Sequence, residues 1–355
     1  MNSKIITYPE RERWNDFVAG SPNSSILQSY EWGELKSYFG WQPVRIVLEQ
    51  EGEIVAGISI LKREVPVIKH SLFYAPRGPI VDLKNKELVG ALLDVVEKEA
   101  ERNHAVALKI DPEIAADSPR ELANLNSLGF VKALKQVQPR ATFILNLERG
   151  LEDILKSFEE KTRYNIRLAE KKGVTIREDA SEKGIGTFYD LYKKTAARDN
   201  FLVHPLNYYR KIREVLFPAG LGTVFIAYYE DQPIGAVVIF TFGRTAYYLY
   251  GASASEQRNV MPNHLLHWEV IKWAKDRGIK EYDLWGIPVE PGEGHPLFGV
   301  YRFKKGFSGA FVKYIGAYDF PYSPLLYHLL EHGVVWWQNL RSLATKGKIE
   351  DSLSE

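Results

Sequence analysis

Val44-Arg-Ile-Val-Leu48, a polar turn at Glu51-Gly52-Glu53, and Ile54-Val-Ala-Gly57-Ile-Ser-Ile-Leu61 form one hairpin pattern. The chain writes it again as Thr223-Val-Phe-Ile-Ala227, Glu230-Asp231-Gln232 and Ile234-Gly235-Ala-Val-Val-Ile-Phe240. β-Branched and aromatic runs around a short polar turn are the signature of paired strands. A third apolar run follows each hairpin, Leu72-Phe-Tyr-Ala75 and Ala246-Tyr-Tyr-Leu-Tyr250. Then comes a helical period. Leu88, Ala91, Leu92, Val95, Val96 and Ala100 share one face of a helix predicted over Glu87–Asn103. Leu265, Leu266, Trp268, Ile271 and Ala274 do the same over Asn263–Arg277. A strand closes each unit, Ala105–Ile110 and Glu281–Trp285, with Gly278 where a helix C-cap belongs. The reading is one α/β (α+β) unit present twice.

The chain has 355 residues, 45% of them hydrophobic, so each half can bury a core and disorder is excluded. A net charge of +1 argues against a polyanion-wrapping protein and for no DNA partner; any nucleic-acid contact is local. There is no cysteine, which removes disulfides, thiolate catalysis and zinc–thiolate sites. The polar Met1–Arg11 stretch lacks a signal-peptide core, and no run approaches the roughly 18–20 apolar residues of a membrane span. The expectation is a cytoplasmic enzyme. Further helices are predicted over Leu151–Lys172 and Glu182–Arg198. Domains are expected at 1–148 and 149–318, followed by a helical segment, 319–355, packing on the first domain. Its helix, Leu325–Leu343, carries Trp336-Trp337 and Arg341, which would also suit peripheral contact with the inner face of a membrane.

The order hairpin, strand, helix, strand resembles the GNAT acyltransferase core, in which central strands splay to admit an acyl donor and an acceptor amine. Enzymes of that fold hold the CoA pyrophosphate on a glycine-rich loop at a helix N-terminus. The corresponding stretches here, Pro79–Lys86 and Ser253–Asn263, are not glycine-rich, which disfavours CoA. No G-x-S-x-G elbow and no H-E-x-x-H spacing is present. His264 and His267 stand three apart without a carboxylate triad nearby and read as core or surface histidines. No metal or bound cofactor is expected.

Several segments, in this order and spacing, resemble the FemABX family of non-ribosomal peptidyltransferases across nearly the whole chain. They are Ser29-Tyr-Glu-Trp-Gly33 with Lys36, Tyr74-Ala-Pro-Arg-Gly-Pro79, Lys109-Ile-Asp-Pro112, and Gln138-Pro139 with Thr142. The second half adds Lys161-Thr-Arg-Tyr-Asn-Ile-Arg167, Arg198-Asp-Asn-Phe201, Pro262-Asn263 with Trp268, Tyr282-Asp-Leu-Trp-Gly286 and Phe303-Lys-Lys-Gly-Phe307. No coiled-coil insertion is visible, as in the smaller FemX-type members. The resemblance implies two tandem GNAT-like domains and aminoacyl-tRNA as co-substrate. The acceptor it implies is an amine on a peptidoglycan precursor, UDP-MurNAc-pentapeptide or its lipid-linked form. The expected role is in cell-wall biogenesis and cell shape.

Roles follow from that resemblance. Lys36 is a cation for the precursor's phosphates. His204 stands where the family often has arginine, followed by Tyr208; Arg210 is a candidate to compensate. Lys304 is expected to stabilise the oxyanion of the tetrahedral intermediate, with Phe303 beside it; the plain alternative is a solvated Lys304-Lys305 pair. Asp111, after a strand, orients the acceptor amine, takes its proton, or simply forms the turn before Pro112. Tyr250 contacts substrate or packs in the core, and Asp283 sits at a similar strand end. Arg163, Arg167, Lys171 and Lys172 form a helical stripe that, with Lys305, would meet tRNA phosphates or face solvent. The rival functions are a CoA-dependent N-acyltransferase and an inert binding module on the same fold. The amino acid transferred is not readable.

Overall fold

The computed structural model describes residues 1–65 and 69–330. In chain order they form β1 (Asn2–Ile5), α1 (Arg11–Gly20), α2 (Tyr30–Ser37), β2 (Gln42–Gln50), β3 (Glu53–Val65), β4 (His70–Ala75), α3 (Lys86–Arg102), β5 (Ala105–Ile110), α4 (Pro119–Ser127), β6 (Val131–Lys132), β7 (Ala141–Asn146), α5 (Leu151–Ser157) and α6 (Glu160–Lys171). The chain continues through β8 (Thr175–Glu178), α7 (Glu182–Asp199), α8 (Leu206–Leu216), β9 (Gly222–Tyr229), β10 (Gln232–Phe242), β11 (Thr245–Ser253), α9 (Pro262–Asp276), β12 (Glu281–Asp283), α10 (Phe298–Lys305), β13 (Ala310–Lys313) and β14 (Tyr318–Pro321).

The duplicated α/β unit is present as two seven-stranded sheets, ordered β1-β2-β3-β4-β5-β14-β6 and β13-β7-β12-β11-β10-β9-β8. Each expected hairpin forms antiparallel pairs, β2–β3 and β9–β10. In both sheets the strand before the long helix lies parallel to the strand after it, β4 with β5 and β11 with β12. The helix between them covers the sheet because its apolar period is helical. Val89, Leu92, Val96 and Ala100 of α3 are buried against the first sheet's core. Leu265, Leu266, Trp268, Ile271 and Ala274 of α9 are buried in the second unit. Each such side chain contributes about 1.5–3 kcal/mol if large, less for alanine.

The domain limits differ from those expected. One compact unit comprises Met1–Arg140 and the chain from Lys313; the other is Ala141–Val312. The reason is strand pairing: β14 lies between β5 and β6 of the first sheet, and β7 lies between β12 and β13 of the second. The second unit is thus one continuous stretch that opens with β7, and the chain then returns to the first sheet as β14. The supposed helical segment from 319 accordingly opens as a strand, with Tyr318 opposite Ile110. Residues 324–330 are helical, and Tyr327 Oη donates to Asp319 Oδ2 at 2.8 Å within that unit. The rest of the predicted Leu325–Leu343 helix, including Trp336-Trp337 and Arg341, lies outside the described residues.

The single helix predicted over Leu151–Lys172 is two, α5 and α6. Phe158 is extended between them (ψ 153°) and packs its ring on Phe307 and Trp268, with centroids 5.2 and 5.9 Å apart. Glu159 N–H donates to Gly306 O at 2.9 Å. The break therefore ties the start of α6 to the end of α10.

Candidate active site

In the second unit the parallel pair β11–β12 holds for three positions only, ending at Tyr247 opposite Asp283. β11 runs on to Ser253. The chain beyond Asp283 stays with β7 instead: Leu284 N–H donates to Phe143 O at 2.9 Å and Ile287 N–H to Ala141 O at 3.0 Å. β11 also slips register against β10, with Tyr248 opposite Ile239 and Tyr250 opposite Val238, so Leu249 is an extra residue that bends the strand. The two strands part at the C-terminal end of the parallel pair.

Parting leaves strand-end carbonyls without a ladder partner, and Lys304 of α10 takes them. Its Nζ donates to Gly286 O at 2.8 Å and Trp285 O at 3.2 Å. The side chain is only 6% exposed, so the ammonium is largely out of water. Burial brings its pKa down to about 7, with nearby Asp283 pulling the other way. Asp283 accepts from the Thr142 hydroxyl and from Trp285 N–H (2.7 Å), which holds Trp285 in its left-handed conformation, φ 57°. The Tyr248 ring lies 5.3 Å from Lys304 Nζ and edge-on to His267, whose Nδ1 is 2.7 Å from Tyr282 Oη. Burial, then the charge of Lys304, holds His267 down to about 3, so it is neutral at physiological pH. Two of the three ammonium donors are committed to carbonyls.

Other expected site residues of this unit fall into two groups. His204 stacks on Tyr208 at 4.1 Å, and Tyr208 Oη is 3.5 Å from Tyr250 Oη, so these three are together, backed by Tyr192 and Tyr209. Arg210 is not with them. Two residues along α8 from Tyr208 is about 200° of rotation, and its Nε pairs with Glu182 Oε1 at 2.5 Å. Phe303 packs among His264, His267 and Phe307. Arg167, Lys171, Lys172 and Lys305 are exposed. Arg163 leaves the expected stripe: its guanidinium donates to Phe158 O and, at 3.3 Å, to Lys156 O, sealing the end of α5.

The first unit treats the corresponding place differently. β4 and β5 stay paired to Ala75 opposite Ile110. Beyond that point Asp111 joins the strand ends: Tyr74 Oη donates to Oδ2 at 2.7 Å and Arg77 N–H to Oδ1 at 2.6 Å. Asp111 is 1% exposed, and burial raises its pKa while Arg77 opposes the shift. With both oxygens accepting from the protein, the geometry makes it a brace for the Tyr74–Arg77 turn; as a proton acceptor it would have to give up one of these bonds. Lys36, half-buried on α2, places Nζ 4.9 Å from the Trp32 ring centroid.

The model of the FemAB family matches residues 10–218 and 221–332. The chain belongs to the FemAB family. It is accordingly a transferase of cell-wall synthesis with two GNAT-like units. It is similar to the Lipid II:glycine glycyltransferase of Staphylococcus aureus (strain MRSA252), 29% identical over 99% of both chains. The protein of that name from Staphylococcus saprophyticus is 28% identical, over 94% of this chain and 95% of its own. Among solved structures, FemX superposes with a TM-score of 0.86 at 27% identity, covering 93% of this chain and all of that one. A tandem GNAT protein from the clavulanic acid pathway, at 12% identity and TM-score 0.54, shares the fold; 90% of this chain and 98% of that one are covered.

Within this FemAB chain, sequence reasoning missed Tyr248, the role of Thr142, and His267 as a neighbour of Lys304. Tyr248 reads as one more apolar residue of a strand. His267 reads as core, which it is, at 1% exposure. Their relation to Lys304 arises only when α9, α10 and β11 pack.

Proposed function

We propose that this FemAB-family chain transfers an amino acid from aminoacyl-tRNA to an amine on the stem peptide of a lipid-linked peptidoglycan precursor, working at the cytoplasmic face of the membrane. The names of the similar glycyltransferases put glycine first among amino acids to test. Among the described residues no helix is long and apolar enough to cross a membrane.

The observation that carries the reading is Lys304, a buried ammonium anchored by two carbonyls where β11 and β12 part. In the reaction the acceptor amine attacks the ester carbonyl of the donor. A C–N bond forms, the ester C–O bond breaks, the amine gives up one proton and the tRNA hydroxyl gains one. Negative charge gathers on the carbonyl oxygen in between. A pre-oriented cation in a water-poor site stabilises that charge more than it stabilises the neutral ester. Tyr208, Tyr250 and His204 would line the acceptor, and Phe303 would flank the reacting end. Asp111 would act by orienting its turn.

The test is transfer of labelled glycine, alanine or serine from charged tRNA to lipid II, and in parallel to UDP-MurNAc-pentapeptide. Label in a branched peptide is expected with the lipid-linked acceptor. Lys304→Met is expected to lower turnover by ~10²–10³-fold while precursor binding survives. No transfer from any aminoacyl-tRNA to either acceptor would reject the proposal.

A further inference from the structure

The outward face of α6, in the second unit, carries a pattern that the residues above do not explain. Thr162, Asn165, Ile166 and Ala169 of this helix are buried. The helical period therefore turns Tyr164, Arg167 and Lys171 to the opposite side, with Lys161 and Lys172 at the margins. Tyr164 is 62% exposed, a large planar ring left in water among cations. Glu160 and Glu170 are the acids on the same helix, so the excess on it is positive.

The position of this face matters as much as its composition. Its first turn is locked to the end of α10 by the bond from Glu159 N–H to Gly306 O and by the close approach of Thr162 Oγ1 to Gly306, where a Cβ would collide. Gly306 follows the exposed Lys305 and stands two residues after Lys304. A strip of cations with one aromatic ring thus begins next to the helix that carries the buried ammonium and extends ~15 Å along α6.

We infer that this strip is the track for the unpaired 3′ end of the acyl-donor RNA, with one base stacked on Tyr164 and phosphates met by Lys161, Arg167, Lys171 and Lys305. The inference rests on the aminoacyl-tRNA reading above. Cations alone would suit any phosphate backbone. A cation track interrupted by an exposed aromatic suits a single strand, whose unstacked bases have faces to offer. Because the acyl group sits at the end of that strand, a track ending beside Lys304 would deliver the ester to the place where β11 and β12 part.

Transfer kinetics with full-length aminoacyl-tRNA test this in wild type, Tyr164→Ala and Tyr164→Phe. Tyr164→Ala is expected to raise KM for aminoacyl-tRNA by ~10-fold or more, with kcat and the KM of the peptidoglycan precursor little changed. Tyr164→Phe keeps the ring and is expected to behave as wild type. A Lys161→Ala/Lys171→Ala variant is expected to flatten the salt dependence of tRNA affinity. An unchanged KM in Tyr164→Ala, or a Phe variant as impaired as the Ala variant, overturns the stacking role while leaving the transfer reaction standing. Absence of transfer by the wild type overturns the donor assignment and this inference together.

Discussion

Lys304 illustrates what a single residue gains from its surroundings. Burial makes the ammonium costly, and the backbone carbonyls of Trp285 and Gly286 keep it in place. With its pKa brought down to about 7, the charged form that stabilises an oxyanion is lost as pH rises through neutrality. The kcat/KM profile of the free enzyme is therefore expected to carry a descending limb near pH 7. Lys304→Arg, which stays charged, is expected to lack that limb whatever activity it retains. Stability moves oppositely. Between the folded value and the ordinary lysine value the unfolded chain binds the extra proton, so wild-type stability gains from this group as pH rises above about 7. Thermal melts of wild type and Lys304→Met should show the variant's relative advantage shrinking from pH 7 to pH 9. Asp111 provides the contrast. As a brace, Asp111→Asn is expected to lower the melting temperature and cost less than ~10-fold in turnover, whereas loss of a general base would cost ~10²-fold or more.

Between residue and fold lies the seam of α6 and α10. Gly306 ends α10 with an ordinary helical φ of −57°, so backbone strain does not require glycine there. Space does, because Thr162 Oγ1 occupies the place of a Cβ. Gly306→Ala is expected to cost about 1–3 kcal/mol by overpacking and to lower transfer by displacing Lys304, two residues away. Thr162→Ala removes the obstructing hydroxyl, so the double variant should recover stability and turnover together. Additive losses in that double-mutant cycle would show that the seam does not position Lys304. The two parallel strand pairs make a second element-scale contrast. The first is carried to its end and braced by Asp111, while the second opens after Asp283. Duplication supplied two equivalent places: in the first the buried Arg77 follows strands that stay paired, and in the second the buried Lys304 meets strand ends that part.

At the scale of the whole molecule the late return of β14 means that the first sheet cannot be completed before the second unit's sequence has been made. Without β14, β5 and β6 have no strand between them; without β7, β12 and β13 are separated in the same way. Unpaired strand edges invite association. A fragment ending at Arg140 is therefore expected to be aggregated or non-native by size-exclusion chromatography and circular dichroism, although its sequence contains a complete-looking unit. A soluble, cooperatively melting fragment would show that β14 is dispensable for the first sheet.

The repeat, the hairpins, the long helices and the family were legible in the sequence, because apolar period and turn chemistry act over a few residues and survive without knowledge of contacts. Lys304 was singled out from the motif Phe303-Lys-Lys-Gly-Phe307, and Tyr208 and Tyr250 were each singled out separately, but that their hydroxyls lie 3.5 Å apart was not readable. The division at Arg140 was not, since an apolar strand such as Ala141–Asn146 pairs equally well on paper with either sheet, and its partner β12 comes much later in the chain. Nor were the separate fates of Arg163, Arg210 and Asp111. Each is a charged group whose role depends on which carbonyl, carboxylate or hydroxyl lies within reach. Local pattern determines which elements form; long-range packing alone decides which polar atoms meet, and that sets the chemistry of the site.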